Sequence, residues 1–325
     1  MAEYAGQSIS HAIVAAVVIE ALVRLWRITE PGLRMAFRLL PLAYPLAVLP
    51  AFLVLAPARG TEAFRDDWAL FAGGRWAALG AAGIPVGPAV FAALAALGTG
   101  LFLRDALRLV GRAGEARQMR SATVAGGTDA LAREVGEVAA LLGVAVPRLH
   151  VVDTGAAVLL VTGIRRPTLI VSRGTLARLD ARERRAALAH EMAHLARRDP
   201  LLGWVLMACR LVAFFNPAVQ LAARAAVREL EWRADDLAAA ATGDRAALVS
   251  GLDKLAAATE PAAGSPRRRP ARGLAEGLLA RARAEAIQAR RGRLVEPRRG
   301  GRTAFAPLRL GLTGSTLALV LFFVV

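Results

Sequence analysis

Residues 180–198 read D-A-R-E-R-R-A-A-L-A-H-E-M-A-H-L-A-R-R, a stretch that has the pattern of a capped helix with two histidines. Asp180 followed three residues later by Glu183 predicts a capping box, and the alanines and leucine after it continue a helix. His190 and His194 are four residues apart, so both imidazoles lie on one helix face and can reach the same metal ion. The stretch therefore predicts a metal-binding helix of the H-E-x-x-H type.

Two histidines do not complete a catalytic zinc site, which has three protein ligands and one open position. No further His follows His194 in the chain, so we predict that the third ligand is a carboxylate on a later helix. Glu191, between the two histidines, is predicted to be the general base that takes a proton from the metal-bound water. Two surface histidines on an ordinary helix are the alternative interpretation.

The stretch 228–241, R-E-L-E-W-R-A-D-D-L-A-A-A-A, offers the missing carboxylate. Glu231 and Asp235 are four residues apart and share a helix face, which predicts Glu231 as the third metal ligand. Asp235 is then placed to accept the second N–H of a zinc-bound histidine. Glu229 is a competing ligand, but no carboxylate stands four residues after it. We interpret Glu229, Asp236 and the flanking arginines as a solvated, salt-bridged helix face.

Three elements of the chain resemble the membrane-integrated gluzincin peptidases: H-E-M-A-H-L-A-R-R-D (190–199), F-F-N-P (214–217) and E-W-R-A-D (231–235). The first two are similar to the BlaR/MecR-type signal-transducer peptidases. E-W-R-A-D is similar to the E-F-x-A-D of the HtpX-type and CAAX prenyl proteases, and residues 162–176 are similar to both branches. The resemblance covers residues 145–240 and implies a peptidase domain that binds one Zn²⁺ per chain.

The composition is that of a membrane protein. The chain of 325 residues is 56% hydrophobic, and its mean hydropathy of +0.44 is too high for an ordinary soluble domain. Apolar blocks long enough to cross about 30 Å of hydrocarbon predict membrane spans. Four spans are predicted, at residues 8–26, 39–58, 76–103 and 304–325. A fifth apolar run, 201–215, is shorter and holds an arginine, so we interpret it as a buried or membrane-grazing helix.

These features divide the chain into four parts. We predict three transmembrane helices in residues 1–112, a zinc peptidase domain in 113–258, a basic juxtamembrane linker in 259–303 and a last transmembrane helix in 304–325. Runs rich in β-branched residues at 149–153, 159–164 and 168–172 predict a small sheet ahead of the motif helix. The predicted fold class is an α-helical membrane protein with an α+β gluzincin-like domain, made of this sheet, the H-E-x-x-H helix and a Glu-bearing helix.

The distribution of arginines predicts the orientation. The first connection carries four Arg against one Glu, whereas the second, residues 59–75, balances three Arg against three acidic residues. We therefore predict a bacterial inner-membrane protein whose first connection and peptidase domain are cytoplasmic.

Residues 267–302 hold twelve Arg and three Glu, a net charge of +9 in a chain of +16. We interpret this segment as a helix on anionic lipid and expect no nucleic-acid partner.

Together the motifs predict a membrane-bound zinc endopeptidase that acts on protein or peptide substrates. Two physiological roles remain open: a regulatory protease that cleaves itself or a cytoplasmic repressor, and a quality-control or processing protease for membrane proteins. An inactive membrane sensor or scaffold is a third alternative, disfavoured because every residue that the chemistry needs is present. Since the sequence ends with its last apolar segment, we expect no penicillin-binding sensor domain.

Overall fold

The structure is a computed structural model that describes residues 2–70, 80–81, 84–121, 129–163, 165–259, 274–296 and 306–325. The helices are α1 (Ala2–Leu25), α2 (Pro31–Ala43), α3 (Leu49–Leu55), α4 (Glu62–Asp67), α5 (Val86–Ser121), α6 (Asp129–Leu141), α7 (Arg173–Arg178), α8 (Ala181–Ala196), α9 (Asp199–Val212), α10 (Pro217–Thr242), α11 (Arg245–Thr259), α12 (Leu274–Val295) and α13 (Ala306–Phe322). A π-helical turn, Tyr44–Val48, joins α2 to α3, and a 3₁₀ turn, Pro57–Gly60, follows α3. The strands are β1 (Gly80–Ala81), β2 (Ile84–Pro85), β3 (Arg148–Val152), β4 (Leu159–Thr162) and β5 (Thr168–Ser172).

Among the residues that the structure describes, three helical segments are long and apolar enough to cross a membrane by length and composition: Tyr4–Leu25, Pro31–Leu55 and Val86–Gly111. They correspond to the first three predicted spans, although the second begins earlier than the predicted residue 39. Part of the third predicted span, residues 76–79 and 82–83, lies outside the described residues. The fourth predicted span is a shorter apolar helix of 17 residues, α13.

The chain forms two compact units. The first, which we call the apolar unit, contains residues 1–111, 203–230 and 300–325. The second, the sheet unit, contains residues 112–202 and 231–299. The H-E-x-x-H motif and the E-W-R-A-D stretch both fall in the sheet unit.

The F-F-N-P element begins α10 in the apolar unit. The side-chain oxygen of Asn216 accepts hydrogen bonds from the backbone N–H groups of Ala218 (3.1 Å) and Val219 (3.3 Å), which caps the helix. Its Nδ2 donates to the carbonyl oxygen of Ser8 at 2.8 Å, which ties this helix start to α1. Proline at position 217 suits the first turn, where no intrahelical N–H bond is lost. The motif thus has a structural role.

Gly98 allows α5 to approach the same element closely. A Cβ at Gly98 would lie 2.2 Å from the carbonyl oxygen of Phe215, far inside van der Waals contact. Any side chain at this position would push α5 away from the start of α10.

A cluster of buried ion pairs lies in the apolar unit. Glu229 has no exposed surface and is bound by Arg38 and by Nε of Arg34, the latter at 3.0 Å. Arg38 also donates to Glu20 at 3.0 Å. The interpretation of Glu229 as part of a solvated helix face is therefore wrong, because two guanidinium groups enclose it. Arg34 and Arg38 also lie within α2, so they are not loop charges of the kind that the positive-inside rule counts most directly.

The sheet unit contains a mixed three-stranded sheet in the order β3–β5–β4. β3 runs parallel to β5, with Arg148 opposite Thr168, and β4 runs antiparallel to β5, with Leu159 opposite Val171. β4 is therefore an edge strand. It ends at Thr162, before the predicted residue 164, because Gly163 turns the chain with φ of +93°, and a Cβ there would lie 2.7 Å from a backbone oxygen. Ile164 lies outside the described residues.

The motif helix α8 packs its apolar face into the core of the sheet unit. Leu188, Ala189 and Met192 are almost fully buried and belong to one cluster with Leu169 of β5 and Val135 of α6. Burying a Leu or Met side chain contributes about 2–3 kcal/mol, so this face fixes the rotation of the helix about its axis. The opposite face carries the two histidines.

The predicted capping box is present at the start of α8. Asp180 accepts hydrogen bonds from the backbone N–H groups of Arg182 and Glu183, and the Glu183 carboxylate accepts the N–H of Asp180 in return, each at 2.9 Å. The cap fixes where the helix begins, and the two histidines follow about two and a half and three and a half turns later.

Candidate metal centre

His190 and His194 lie one turn apart on α8, with their ring centroids 4.9 Å apart and their planes nearly perpendicular. Met192 lies between the two histidines in the sequence and has no exposed surface, because it packs in the core of the sheet unit. Because Met192 is anchored in the core, both imidazoles are directed to the other side of the helix.

Glu231 on α10 completes a group of three potential ligands. One ligand atom from each of His190, His194 and Glu231 lies within 4.8 Å of the other two. Nε2 of His190 is 3.6 Å from Oε2 of Glu231, and Nε2 of His194 is 3.9 Å from Oε1. Tetrahedral zinc with bonds of about 2.0–2.2 Å separates its ligand atoms by about 3.3–3.6 Å. The separations here are at or slightly above this range, and the two imidazoles and the carboxylate have the donor chemistry of such a site.

Each imidazole is oriented by a carboxylate on its other nitrogen. Nδ1 of His190 lies 3.0 Å from Oδ1 of Asp235, as the i,i+4 spacing of Glu231 and Asp235 predicts. Nδ1 of His194 lies 2.8 Å from Oδ2 of Asp199. These contacts direct both Nε2 atoms towards Glu231, which is how outer carboxylates orient metal-binding histidines.

By sequence position alone, Asp199, which precedes Pro200, fits two roles: capping the next helix and acting at the metal centre. The structure places Asp199 in the first turn of α9, buried, with its carboxylate on His194. The signal was the D-P pair immediately after the motif helix, where a turn returns the chain towards the histidines. Arg198 makes this turn with φ of +55°, a left-handed conformation that is uncommon for a residue other than glycine.

The electrostatics of the centre favour positive charge between the imidazoles and Glu231. Burial opposes protonation of His190, but its contacts with Asp235 and Glu231 outweigh burial and raise its pKa to about 9. Burial raises the pKa of Glu231, and the opposing contacts with His190 and Arg290 bring it well below its usual range. The pKa of Asp235 is lowered for the same reasons. A centre with this balance of charge suits a cation.

Glu191 lies beside this group and is held by the edge strand. The backbone N–H of Val161 in β4 donates to Oε2 of Glu191 at 2.9 Å. Burial raises the pKa of this carboxyl, and the neighbouring histidines oppose the rise. The contact fixes Oε2 of Glu191 against the edge strand.

Arg290 on α12 is a member of the centre that sequence reasoning missed. Its Nε and Nη2 donate to the two oxygens of Asp235 at 2.9 and 2.6 Å, and its Nη1 lies 3.2 Å from Oε2 of Glu231. One turn later, Arg293 pairs with Asp236 and donates to the backbone oxygen of Trp232 at 3.1 Å. No local sequence pattern singles out Arg290 or Arg293 among the twelve arginines of residues 267–302.

The site combines a helix that carries two histidines, a carboxylate from a second helix and a glutamate between the histidines. This combination is typical of metallopeptidases. Residues 150–245, less than a third of the chain, match the family model described as BlaR1 peptidase M56. This match confirms the resemblance to the BlaR/MecR-type metallopeptidases, and it contains all of the site residues except Arg290. Together with the three apolar helices, it indicates a membrane-associated metallopeptidase. No solved structure matches the chain.

Proposed function

We propose that this chain is a membrane-bound zinc endopeptidase that hydrolyses peptide bonds in protein or peptide substrates. The observation that carries the proposal is the convergence of His190, His194 and Glu231 on one point, with Glu191 on the same helix as the histidines. Two histidines and a glutamate are one of the ligand sets used by catalytic zinc sites.

The proposed roles of the side chains follow from their chemistry. A zinc ion held by these three ligands would polarise the scissile carbonyl and lower the pKa of a bound water from about 15.7 towards 7. Glu191 takes a proton from the attacking water and returns it to the leaving amine. Val161 holds Oε2 of Glu191, so Oε1 is the oxygen that carries the proton.

The edge strand β4 offers a place for the substrate. Because the N–H of Val161 points to Glu191 and away from β5, the outer edge of β4 runs past the proposed general base. A substrate segment that adds to this edge as a strand would place its backbone beside Glu191. A cavity of about 260 Å³ at the end of β4 has room for a substrate side chain. It is lined by Gly163, Leu195, Arg198, Pro200 and Leu201.

For the physiological role we favour regulation, by cleavage of the protein itself or of a cytoplasmic repressor. The match to the BlaR1 peptidase family supports this role. The E-W-R-A-D stretch, residues 231–235, supports the second candidate, a processing protease of the HtpX type. In either case we place the protein in the bacterial inner membrane, as a multi-pass protein with the peptidase on the cytoplasmic side.

Replacement of the general base tests the proposed chemistry. Glu191→Gln keeps the shape of the side chain and all three ligands, so zinc binding should survive while hydrolysis falls by at least about 100-fold. Self-cleavage or casein cleavage is measured beside zinc content in detergent. Glu137→Gln is the control, since Glu137 is an exposed carboxylate on α6. A Glu191→Gln variant as active as the parent would show that the motif is not the catalytic centre.

The two roles differ in their substrates. We compare the new protein N-termini in cells that contain the parent protein with those in cells that contain Glu191→Gln. Fragments of this chain or of a soluble DNA-binding protein support the regulatory role. Fragments of many membrane proteins support the processing role instead.

Cysteine labelling tests the orientation. In a Cys209→Ala background, a cysteine at Ala63 should react with an impermeant reagent in intact cells, and a cysteine at Ala132 should not. Both positions are exposed in the structure. The reverse pattern would place the peptidase on the outer face and exclude a cytoplasmic repressor as substrate.

A further inference from the structure

Arg290 makes contacts that are unusual for a residue of an arginine-rich segment. Its guanidinium binds both oxygens of Asp235 and also contacts Glu231, the carboxylate of the ligand group. Its Nη2 lies 3.3 Å from Nε2 of His190, so the group packs against the imidazole ring. A guanidinium has donors and no acceptor, and it therefore cannot be a metal ligand itself.

The charge of the centre explains why an arginine belongs there. Four carboxylates surround the two imidazoles: Glu191, Asp199, Glu231 and Asp235. Asp235 is 1% exposed, and a carboxylate buried to that extent is costly unless it is paired. Arg290 supplies that pairing through Nε and Nη2, and Nη2 also lies 3.3 Å from Nε2 of His190, the nitrogen that faces Glu231.

We infer that Arg290 is a positioning residue of the metal centre. Its fork fixes both oxygens of Asp235, so that Oδ1 stays on Nδ1 of His190, while its third nitrogen restrains Oε2 of Glu231. This inference rests on the proposed function, because it assumes that His190 and Glu231 bind zinc. It makes α12, which begins 43 residues after Glu231, part of the metal centre.

Other contacts hold α12 in place independently of Arg290. Leu294 is 1% exposed and belongs to the core of the sheet unit. Arg293 pairs with Asp236, its Nη1 lying 2.9 Å from Oδ1, and neither residue belongs to the ligand group. A change at Arg290 should therefore leave the helix docked, and Arg293 provides a matched control on the same helix.

The test compares Arg290→Gln, Arg290→Lys and Arg293→Gln in the full-length protein. Zinc affinity is measured by competition with a chromophoric chelator, and the geometry of the centre by the absorption spectrum of the Co²⁺-substituted protein. Arg290→Gln should bind zinc about 10- to 100-fold more weakly and change the Co²⁺ spectrum, as expected when an outer partner of a ligand is lost. Arg290→Lys should fall between this variant and the parent, because an ammonium keeps the charge but cannot fork. Arg293→Gln should bind as the parent does.

Three results would overturn the inference. The first is that Arg290→Gln binds zinc as tightly as the parent and has the same Co²⁺ spectrum. The second is that Arg290→Gln binds zinc more tightly than the parent, which would identify the guanidinium as a competitor of the metal. Equal weakening by Arg293→Gln would show that general docking of α12 is responsible. If the parent itself binds no zinc, the proposed function fails, whereas a parent that binds zinc with an unaffected Arg290→Gln refutes the inference alone.

Discussion

Two carboxylates on α10, Glu229 and Glu231, are only two residues apart and have opposite surroundings. Glu229 has no exposed surface and is bound by the guanidinium groups of Arg34 and Arg38. Glu231 is 37% exposed at its side chain and faces the imidazoles of His190 and His194. Because positions i and i+2 point to different sides of a helix, the two carboxylates have separate partners.

The difference between these partners decides what each carboxylate does. A guanidinium stays protonated and offers donors alone, so the contacts of Glu229 can only be a structural ion pair. A neutral imidazole has a lone pair, so a carboxylate among imidazoles can share a metal with them. The type of the neighbours, rather than burial, therefore separates the metal centre from the ionic cluster.

The largest effect on stability is expected from Glu229→Gln. This change leaves Arg34 and Arg38 buried without their carboxylate, which should lower the free energy of unfolding by about 3–5 kcal/mol. Zinc content should not change. Thermal and denaturant unfolding in detergent, with zinc analysis of the folded fraction, checks both statements. Normal stability combined with loss of zinc would reverse the roles assigned to Glu229 and Glu231.

Glu231→Gln should show the opposite pattern. It replaces the anionic member of the ligand group by an amide, so zinc affinity should fall by more than the about 10- to 100-fold typical of an outer partner. The metal-free variant should unfold near the parent, since Glu231 is partly exposed. Chelator competition gives the affinity and unfolding of metal-free protein gives the stability. If Glu231→Gln binds zinc with the affinity of the parent, Glu231 is not a ligand, and another carboxylate of α10 becomes the candidate for the third ligand.

The sequence predicted the part of the metal centre that depends on local helical periodicity. His190 with His194, and Glu231 with Asp235, are i,i+4 pairs on helices, and such spacing can be read without a tertiary structure. The small sheet and the first three apolar helices were also predicted, because strand composition and apolar length are local signals. Only their boundaries moved, as at Gly163, where a backbone turn ends β4.

The parts that were missed depend on contacts between distant segments. Arg290 and Asp235 are 55 residues apart, and Arg38 and Glu229 are 191 residues apart. In a sequence with 42 basic residues, no local pattern indicates which arginine is buried beside which carboxylate. The interpretation of Glu229 as solvated failed for this reason.

A smaller effect is expected from Asp199→Asn. The carboxylate of Asp199 lies 2.8 Å from Nδ1 of His194 and fixes the ring, and an amide oxygen can keep this contact without its charge. Zinc affinity should therefore fall by about 10-fold, at the lower end of the range for such partners. Asp236→Asn is the control, because Asp236 pairs with Arg293 outside the ligand group. Equal zinc affinity in Asp199→Asn and the control would reduce Asp199 to a helix-start residue.

The smallest effect concerns Glu183, a third carboxylate, which combines burial with a lysine partner. Glu183 accepts hydrogen bonds from Ser250 and Lys254, each at 2.6 Å, and from the N–H of Asp180. Burial raises its pKa, but these three partners outweigh burial and bring the pKa below its ordinary value of 4.5. Glu183→Gln should lower the free energy of unfolding at neutral pH by about 1–2 kcal/mol.

The pH dependence of this effect has a definite sign. Because the pKa of Glu183 is lower in the folded state, its stabilisation is present above pH 4.5 and is lost as the pH falls from there through the folded pKa. The difference in stability between the parent and Glu183→Gln should therefore shrink in acid. Unfolding of metal-free protein between neutral pH and about pH 3 measures this, with exposed Glu137→Gln as a control expected to change stability by less than about 0.5 kcal/mol. A difference that is constant with pH would mean that Glu183 acts through packing and hydrogen bonds alone, and that its charge, unlike that of Glu229, does not hold its helix in place.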